Sequence, residues 1–220
     1  MTQQPRYLED TYCFSIESEV VARGSDEHGE WIALKDNIFH PQGGGQPADI
    51  GWVNDIAVKV RRHASGLVAL YPVQALEFVE NEVLRAKVSP AERLRNSALH
   101  TAGHFLNFAL YPYGWKGIAG HHFPGESRVE FSPIGPDALA VDALPLREIE
   151  EKMAARLRDG AEVKAWREGE TRITLIENTE PILCGGTHLA NINQIADLTI
   201  KSAKFKKGTL RVSYDAAYRD

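Results

Sequence analysis

Residues 89–110 read SPAERLRNSALHTAGHFLNFAL, and the character of the chain changes where this stretch begins. Ser89 stands as an N-cap, Pro90 at the first helical position and Glu92 at the third, a capping box that opens a helix. Tyr111-Pro112-Tyr113-Gly114 closes it, because proline disfavours helical geometry in the residue before it. Leu94, Ala98, Ala102, Phe105 and Ala109 form an apolar stripe widened by Leu99, Leu106 and Leu110, while Arg93, Asn96, His100, His104 and Asn107 share another face.

Upstream, between Asp10 and Lys87, the pattern is one of short apolar or alternating stretches (11–21, 31–34, 55–60 and 67–71), each punctuated by Gly, Pro, Asn or Asp. That is the pattern of an all-β unit. Gly43-Gly44-Gly45, set between His40-Pro41-Gln42 and Gln46-Pro47, adds backbone entropy and no packing surface, so it predicts a loop. Downstream, Leu146, Ile149, Met153 and Leu157 follow Pro145 at helical spacing, with Gly160 as the C-terminal stop. Strands are expected at 128–131, 162–166, 198–205 and 209–214, the last two joined by a turn at Lys206-Lys207-Gly208. The expected fold class is α+β: an N-terminal β-barrel-like domain with a glycine-rich loop over residues 1–88, followed by an α+β two-layer domain over 89–220.

Composition narrows the class further. The chain has 220 residues, 43% hydrophobic and 25% charged, which excludes disordered, collagenous and coiled-coil chains. A net charge of -5 means that any nucleic-acid contact must come from a local basic patch. Two cysteines, Cys13 and Cys184, cannot build a disulfide framework and match no paired-thiol motif, so a reducing cytoplasm is expected. With no apolar leader and no run near the ~20 apolar residues of a membrane span, a soluble, unprocessed protein without a membrane partner is expected.

His100 and His104 lie four apart on the helix, so both rings project from one side and a single metal ion can take both. Thr101 occupies the place where zinc proteases carry their glutamate base, which speaks against that chemistry. Cys184-Gly185-Gly186-Thr187-His188 puts a thiolate and an imidazole on one tight glycine turn. Three nitrogens and one sulfur from His100, His104, Cys184 and His188 suit one tetrahedral Zn²⁺ per chain. The plainer alternative makes Cys184 a small buried hydrophobe and His188 a turn residue.

These motifs resemble the editing domain of alanyl-tRNA synthetase and its freestanding relatives, the AlaX trans-editing proteins. Gly43-Gly44-Gly45-Gln46 looks like the family's glycine-rich motif, and His122-Phe123-Pro124 with Val129-Glu130-Phe131 resembles the segment between the metal pairs. The resemblance covers most of the chain and is closest to the longer, glycine-motif AlaX type; no synthetase catalytic domain fits in 220 residues. It implies ATP-independent, zinc-dependent hydrolysis of the ester joining a wrong amino acid, chiefly serine and then glycine, to tRNA(Ala). A site built for alanine cannot strongly reject a molecule that adds a hydroxyl or lacks a methyl, so a second, hydrolytic site is useful.

The resemblance also implies roles. Thr101 either partners the serine hydroxyl, which would leave alanine facing an unpaired polar group, or merely fills the helix. Gln46 either brings an amide to the substrate terminus or serves loop hydrogen bonding; Glu130 either orients water or lies on a solvated strand face. Substrate contacts are expected from Gly43, Gly44, Gly45, His122, Gly185, Gly186 and Thr187. Of His121 and His122, adjacent on a strand, at most one points inward. Lys201, Lys204, Lys206, Lys207 and Arg211 fall in a stretch without an acidic residue, either a phosphate-contact surface or a solvated hairpin. The expected partner is mischarged tRNA(Ala), with no DNA, and the sequence sets no oligomeric state. Rival readings are a deacylase of another mischarged tRNA or a small ester, and a non-catalytic zinc-stabilised tRNA-binding module. One departure stands out: where the family usually has Ile-Gly, Ile195 is followed by Ala196-Asp197.

Overall fold

The computed structural model describes residues 2–79, 82–169 and 171–219. Its contacts divide the chain into two compact units: the residues up to Gly43 with Pro47–Leu94, and Gly44–Gln46 with the chain from Arg95 onward.

The first unit contains β1 (Gln4–Pro5), β2 (Ser15–Asp26), β3 (Gly29–Leu34), β4 (Asp36–Asn37), β5 (Gly51–Val53), β6 (Ile56–Arg62), β7 (Val68–Pro72) and β8 (Val83–Val88). β1 pairs in parallel with β4, and the other six close into a barrel in the order β2-β3-β7-β6-β5-β8. Alternation drives the closure: Ile32 and Leu34, Val58 and Val60, Val68 and Leu70, and Leu84, Ala86 and Val88 fill one core with Phe39 and Val53. The intervening Trp31, Ala33, Ala69 and Tyr71 make a smaller cluster on the opposite face of β3 and β7. The all-β unit expected from the alternating stretches is present, and it closes as the barrel of the expected fold class.

Its boundaries differ from the sequence reading for local reasons. The strand expected from residue 11 is β2 and starts at Ser15, because Asp10 Oδ1 accepts from Tyr12 N at 2.8 Å and turns the chain there. Asp55 belongs to a turn: Asn54 and Asp55 have φ of 46° and 64°, the two-residue geometry that lets Val53 pair with Ile56.

α1 (Pro90–Leu110) spans the residues expected of it. Ser89 Oγ lies 3.5 Å from Glu92 N, too long for a good hydrogen bond, so the cap is weak. Burial holds the helix instead. Every residue from Asn96 to Leu106 is buried, so the polar face is packed as tightly as the apolar stripe. At the helix start Arg93 is fully buried; its Nε donates to Asp49 Oδ1 at 2.9 Å and its two terminal nitrogens donate to Thr11 O at 3.0 Å and Ile38 O at 2.6 Å.

The second unit continues with β9 (Trp115–His121), β10 (Arg128–Pro133), α2 (Leu146–Asp159), β11 (Val163–Glu168), β12 (Thr171–Ile176), β13 (Ile182–Leu183), β14 (Ile195–Lys206) and β15 (Thr209–Tyr218). Four strands form an antiparallel sheet in the order β14-β15-β10-β9, and β11-β12-β13 form a second. Val129, Phe131, Leu210, Val212 and Tyr214 point to the buried face of the first sheet, where Tyr214 OH donates to Leu99 O of α1 at 2.7 Å. Helix on sheet is the two-layer arrangement expected of this half. Ile149, Met153 and Leu157 are the buried side of α2, which ends at Gly160. Lys207 and Gly208, with φ of 53° and 80°, make the two-residue turn between β14 and β15. After Ile195, the left-handed conformation falls on Asp197, φ 51°, at a register shift in the ladder, an aspartate standing in a conformation that glycine adopts more readily. No helix among the described residues is long and apolar enough to cross a membrane.

Candidate metal centre

One helical turn separates His100 from His104 on α1, and their ring centroids are 5.1 Å apart. The segment after β13 carries Cys184 and His188 to the same point, with Cys184 Sγ 3.4 Å from His100 Nε2 and 3.2 Å from His188 Nε2. One ligand atom from each of the four residues lies within 4.8 Å of every other. Bonds of about 2.0 to 2.3 Å around a tetrahedral ion put neighbouring donors about 3.3 to 3.8 Å apart, close to the two Sγ–Nε2 separations, so this N₃S set could hold a metal ion. His100, His104 and His188 are buried; Cys184 is half-buried and Gly185 exposed, which gives the cluster one open side.

Burial sets the protonation of these groups. It drives His104 down to about 4, helped by the nearby Arg172 guanidinium, so the ring is a neutral ligand at physiological pH. It pushes the Cys184 thiol up, against the weaker opposing pull of Gly186 N–H and Arg172, so binding of a metal cation must displace a proton there.

The surrounding hydrogen bonds fix the two segments. Thr101 Oγ1 donates to Ser97 O at 2.7 Å; it therefore accepts from Leu189 N at 3.1 Å and from His188 Nδ1 at 3.2 Å. With these three partners the Thr101 hydroxyl holds His188 against α1. Gln46 is fully buried and meets His100 and Thr187. Gly45, at φ 77°, packs against Gly120 O so closely that a Cβ would strike it, and its own carbonyl accepts from His122 N at 2.7 Å. Gly44 and Gly185 have open space around them, and Gly43 has almost as much, so those three do not close on anything.

His122 is buried and His121 only partly, as neighbours on a strand should be. The His122 ring stacks on His100 at 4.4 Å and 20°, with Nδ1 2.6 Å from Tyr214 OH. It occupies a slot where a Cβ on Gly103 or Gly120 would meet it. Burial, followed by the charges of His104 and His121, drives His122 down to about 3.

Glu130 lies elsewhere. Val129 and Phe131 face the core, and Glu130 on the opposite side of β10 accepts from Arg211 Nη2 at 2.6 Å and from its Nε at 3.1 Å. Its carboxylate belongs to the outer sheet face, which removes it from the catalytic candidates. On that face Lys201 lies 3.7 Å from Asp215, while Lys204, Lys206 and Lys207 have no ion pair among the described residues.

Arg172 was not singled out from the sequence. Its Nη1 donates to Cys184 O at 3.0 Å and Gly186 O at 2.8 Å, pinning the glycine turn from β12. The available signal was a lone arginine at the head of the largely apolar stretch Ile173-Thr174-Leu175-Ile176.

No protein-family model matches the chain. It is 28% identical over 212 residues to the alanyl-tRNA editing protein AlaX-M of Pyrococcus horikoshii, covering 94% of each chain. The alanine–tRNA ligase of Methanococcus aeolicus matches 92% of this chain at 26% identity, and that of Pyrococcus furiosus 97% at 27%. The chain spans only 25% and 26% of those two ligases. The resemblance drawn from its histidine, glycine and Cys-Gly-Gly-Thr-His motifs thus extends along nearly the whole sequence.

Proposed function

We propose that this chain hydrolyses the aminoacyl ester of mischarged tRNA(Ala) in trans, with Zn²⁺ held by His100, His104, Cys184 and His188. The observation that carries the reading is the convergence of these four donors from two segments 80 residues apart, on a buried cluster with one open side. The likeness to a protein named for alanyl-tRNA editing supports it. Seryl-tRNA(Ala) is the first substrate and glycyl-tRNA(Ala) the second, since these are the errors that an alanine pocket cannot exclude by binding alone. Zinc in such a site supplies positive charge to anchor the amino acid or polarise the ester carbonyl.

The chain's own residues do the rest. The four donors would fill a tetrahedral set, and activation of water by the metal would require one of them to leave or the coordination to expand, so this reading places the attacking water on neighbouring groups. The substrate approaches beside Cys184 and Gly185, where the cluster is open, while Gly186, Thr187 and His122 form the packed wall behind it. Lys204, Lys206 and Lys207, flanked by Lys201 and Arg211, supply phosphate contacts to the tRNA. Such work belongs in the cytoplasm with translation.

The test is turnover of seryl-, glycyl-, threonyl- and alanyl-tRNA by metal-free and zinc-loaded protein. Seryl-tRNA(Ala) is cleaved fastest and alanyl-tRNA(Ala) is spared, with activity lost on chelation and restored by zinc. Preference for threonyl-tRNA overturns the substrate; full activity in a zinc-free Cys184→Ala variant overturns the metal; seryl-tRNA bound but left intact leaves a binding module.

A further inference from the structure

We propose that Gln46 is a positioning residue of the metal centre: its amide fixes His100 in the tautomer whose Nε2 is unprotonated and so can bind a metal, and ties the Cys-Gly-Gly-Thr-His turn to that ring. The inference rests on the metal-centre reading above and deepens it.

The hydrogen bonds leave little choice of arrangement. Thr187 N, an obligatory donor, meets Gln46 Oε1 at 3.0 Å, which fixes which end of the amide is oxygen. His100 Nδ1 lies 2.8 Å from the same oxygen. An amide oxygen only accepts, so Nδ1 carries the proton and Nε2, the nitrogen 3.4 Å from Cys184 Sγ, keeps its lone pair. The other end of the amide, Nε2 of Gln46, donates to Thr187 Oγ1 at 2.9 Å, and Thr187 Oγ1 lies 2.7 Å from Ser97 Oγ on α1. One buried side chain thus bonds to both ligand-bearing segments, and Ser97 closes the ring of contacts.

The backbone is shaped for this contact. A Cβ on Gly186 would collide with the His100 ring and would lie 2.8 Å from Gln46 Oε1, so the second glycine of the turn is the gap through which ring and amide meet. Gly44 and Gly45, with φ of 57° and 77°, make the bend that precedes Gln46. Metal-bound histidines generally give their other ring N–H to an acceptor that sets ring orientation, and loss of that acceptor lowers metal affinity roughly 10- to 100-fold.

Two variants separate this role from simple packing. Gln46→Met keeps the volume and removes the acceptor; Gln46→Glu keeps the acceptor for His100 Nδ1–H and Thr187 N–H, and the Thr187 hydroxyl can turn to donate to it. Zinc affinity by chelator competition is expected to fall roughly 10- to 100-fold in Gln46→Met and to stay within about threefold of the parent in Gln46→Glu. In metal-free protein, two-bond ¹⁵N–¹H spectra are expected to show His100 protonated at Nδ1 in the parent and in Gln46→Glu, and protonated at Nε2 to a large extent in Gln46→Met; the His100 signal is the one lost in His100→Gln. Parent-like zinc affinity in Gln46→Met, or an Nε2-protonated His100 in the parent, overturns the proposal. Should Gln46→Met not fold, Gln46→Glu decides alone: a tenfold or greater loss of zinc affinity there overturns it. A parent protein that takes up no zinc yet shows the Nδ1–H form sinks the metal reading and sustains the placement of the ring by Gln46.

Discussion

At the scale of single residues, the imidazoles of this protein differ in what burial does to them. His40 is 2% exposed, with Nδ1 3.3 Å from Pro47 O and its backbone N–H donating to Asp49 Oδ2 at 2.6 Å. Burial lowers its pKa to about 4, and the Asp49 carboxylate recovers only part of the shift. Above pH 6.5 the ring is neutral folded and unfolded, so the stability it contributes is fully present. As pH falls from 6.5 towards 4 the unfolded chain takes up a proton that the folded one refuses, and stability drops by about 1.4 kcal/mol per pH unit. Replacing His40 by Gln is therefore expected to make the fall in urea-unfolding free energy between pH 7 and pH 4 shallower by about 3 kcal/mol. Parallel curves for the two proteins would show that His40 titrates normally. The histidine is visible in the sequence beside the glycine run; its enclosure is not, because Tyr7, Asp49 and Arg93 reach it from distant stretches.

At the scale of elements, the β14–β15 hairpin is the place where sequence and structure agree most closely. Lys206-Lys207-Gly208 was read as a turn, and the left-handed φ values of Lys207 and Gly208 are what a two-residue hairpin loop demands. The same stretch presents exposed Lys204, Lys206 and Lys207 without ion pairs among the described residues. Lys206→Glu with Lys207→Glu is expected to weaken tRNA binding and to reduce the slope of log affinity against log salt by about 1.5 to 2. An unchanged slope would remove the hairpin from the RNA surface. α1 teaches the opposite lesson. Its length followed from Pro90 and from the Tyr111-Pro112 stop, but its polar face proved to be buried: His100 and His104 meet the segment that carries Cys184 and His188, and Asn96 is enclosed with them.

At the scale of the whole molecule, a metal that bridges α1 and the turn after β13 binds only when both are folded together. Metal binding is then folding free energy for that unit. Free zinc at a hundred times its dissociation constant should add about 2.7 kcal/mol to unfolding and raise the melting temperature, and Cys184→Ala should show no such zinc-dependent shift. A melting curve that zinc leaves unmoved in the parent protein would mean that the four donors do not act as one site.

What the sequence determined by itself was local and periodic: the span of α1, the barrel-forming alternation, the hairpin turn, and the residue types of a nitrogen–sulfur metal site. These depend on short-range backbone preferences and on side-chain chemistry, which are written residue by residue. What only the tertiary structure decided was who meets whom. Glu130 went to the outer sheet face beside Arg211, Thr101 turned to hold His188, Gln46 reached His100 and Thr187, and an unremarked Arg172 pinned the glycine turn. Each of these outcomes joins residues far apart along the chain, and no local pattern encodes such a meeting, since it depends on how the packed elements share the interior and on where each buried donor can find its acceptor.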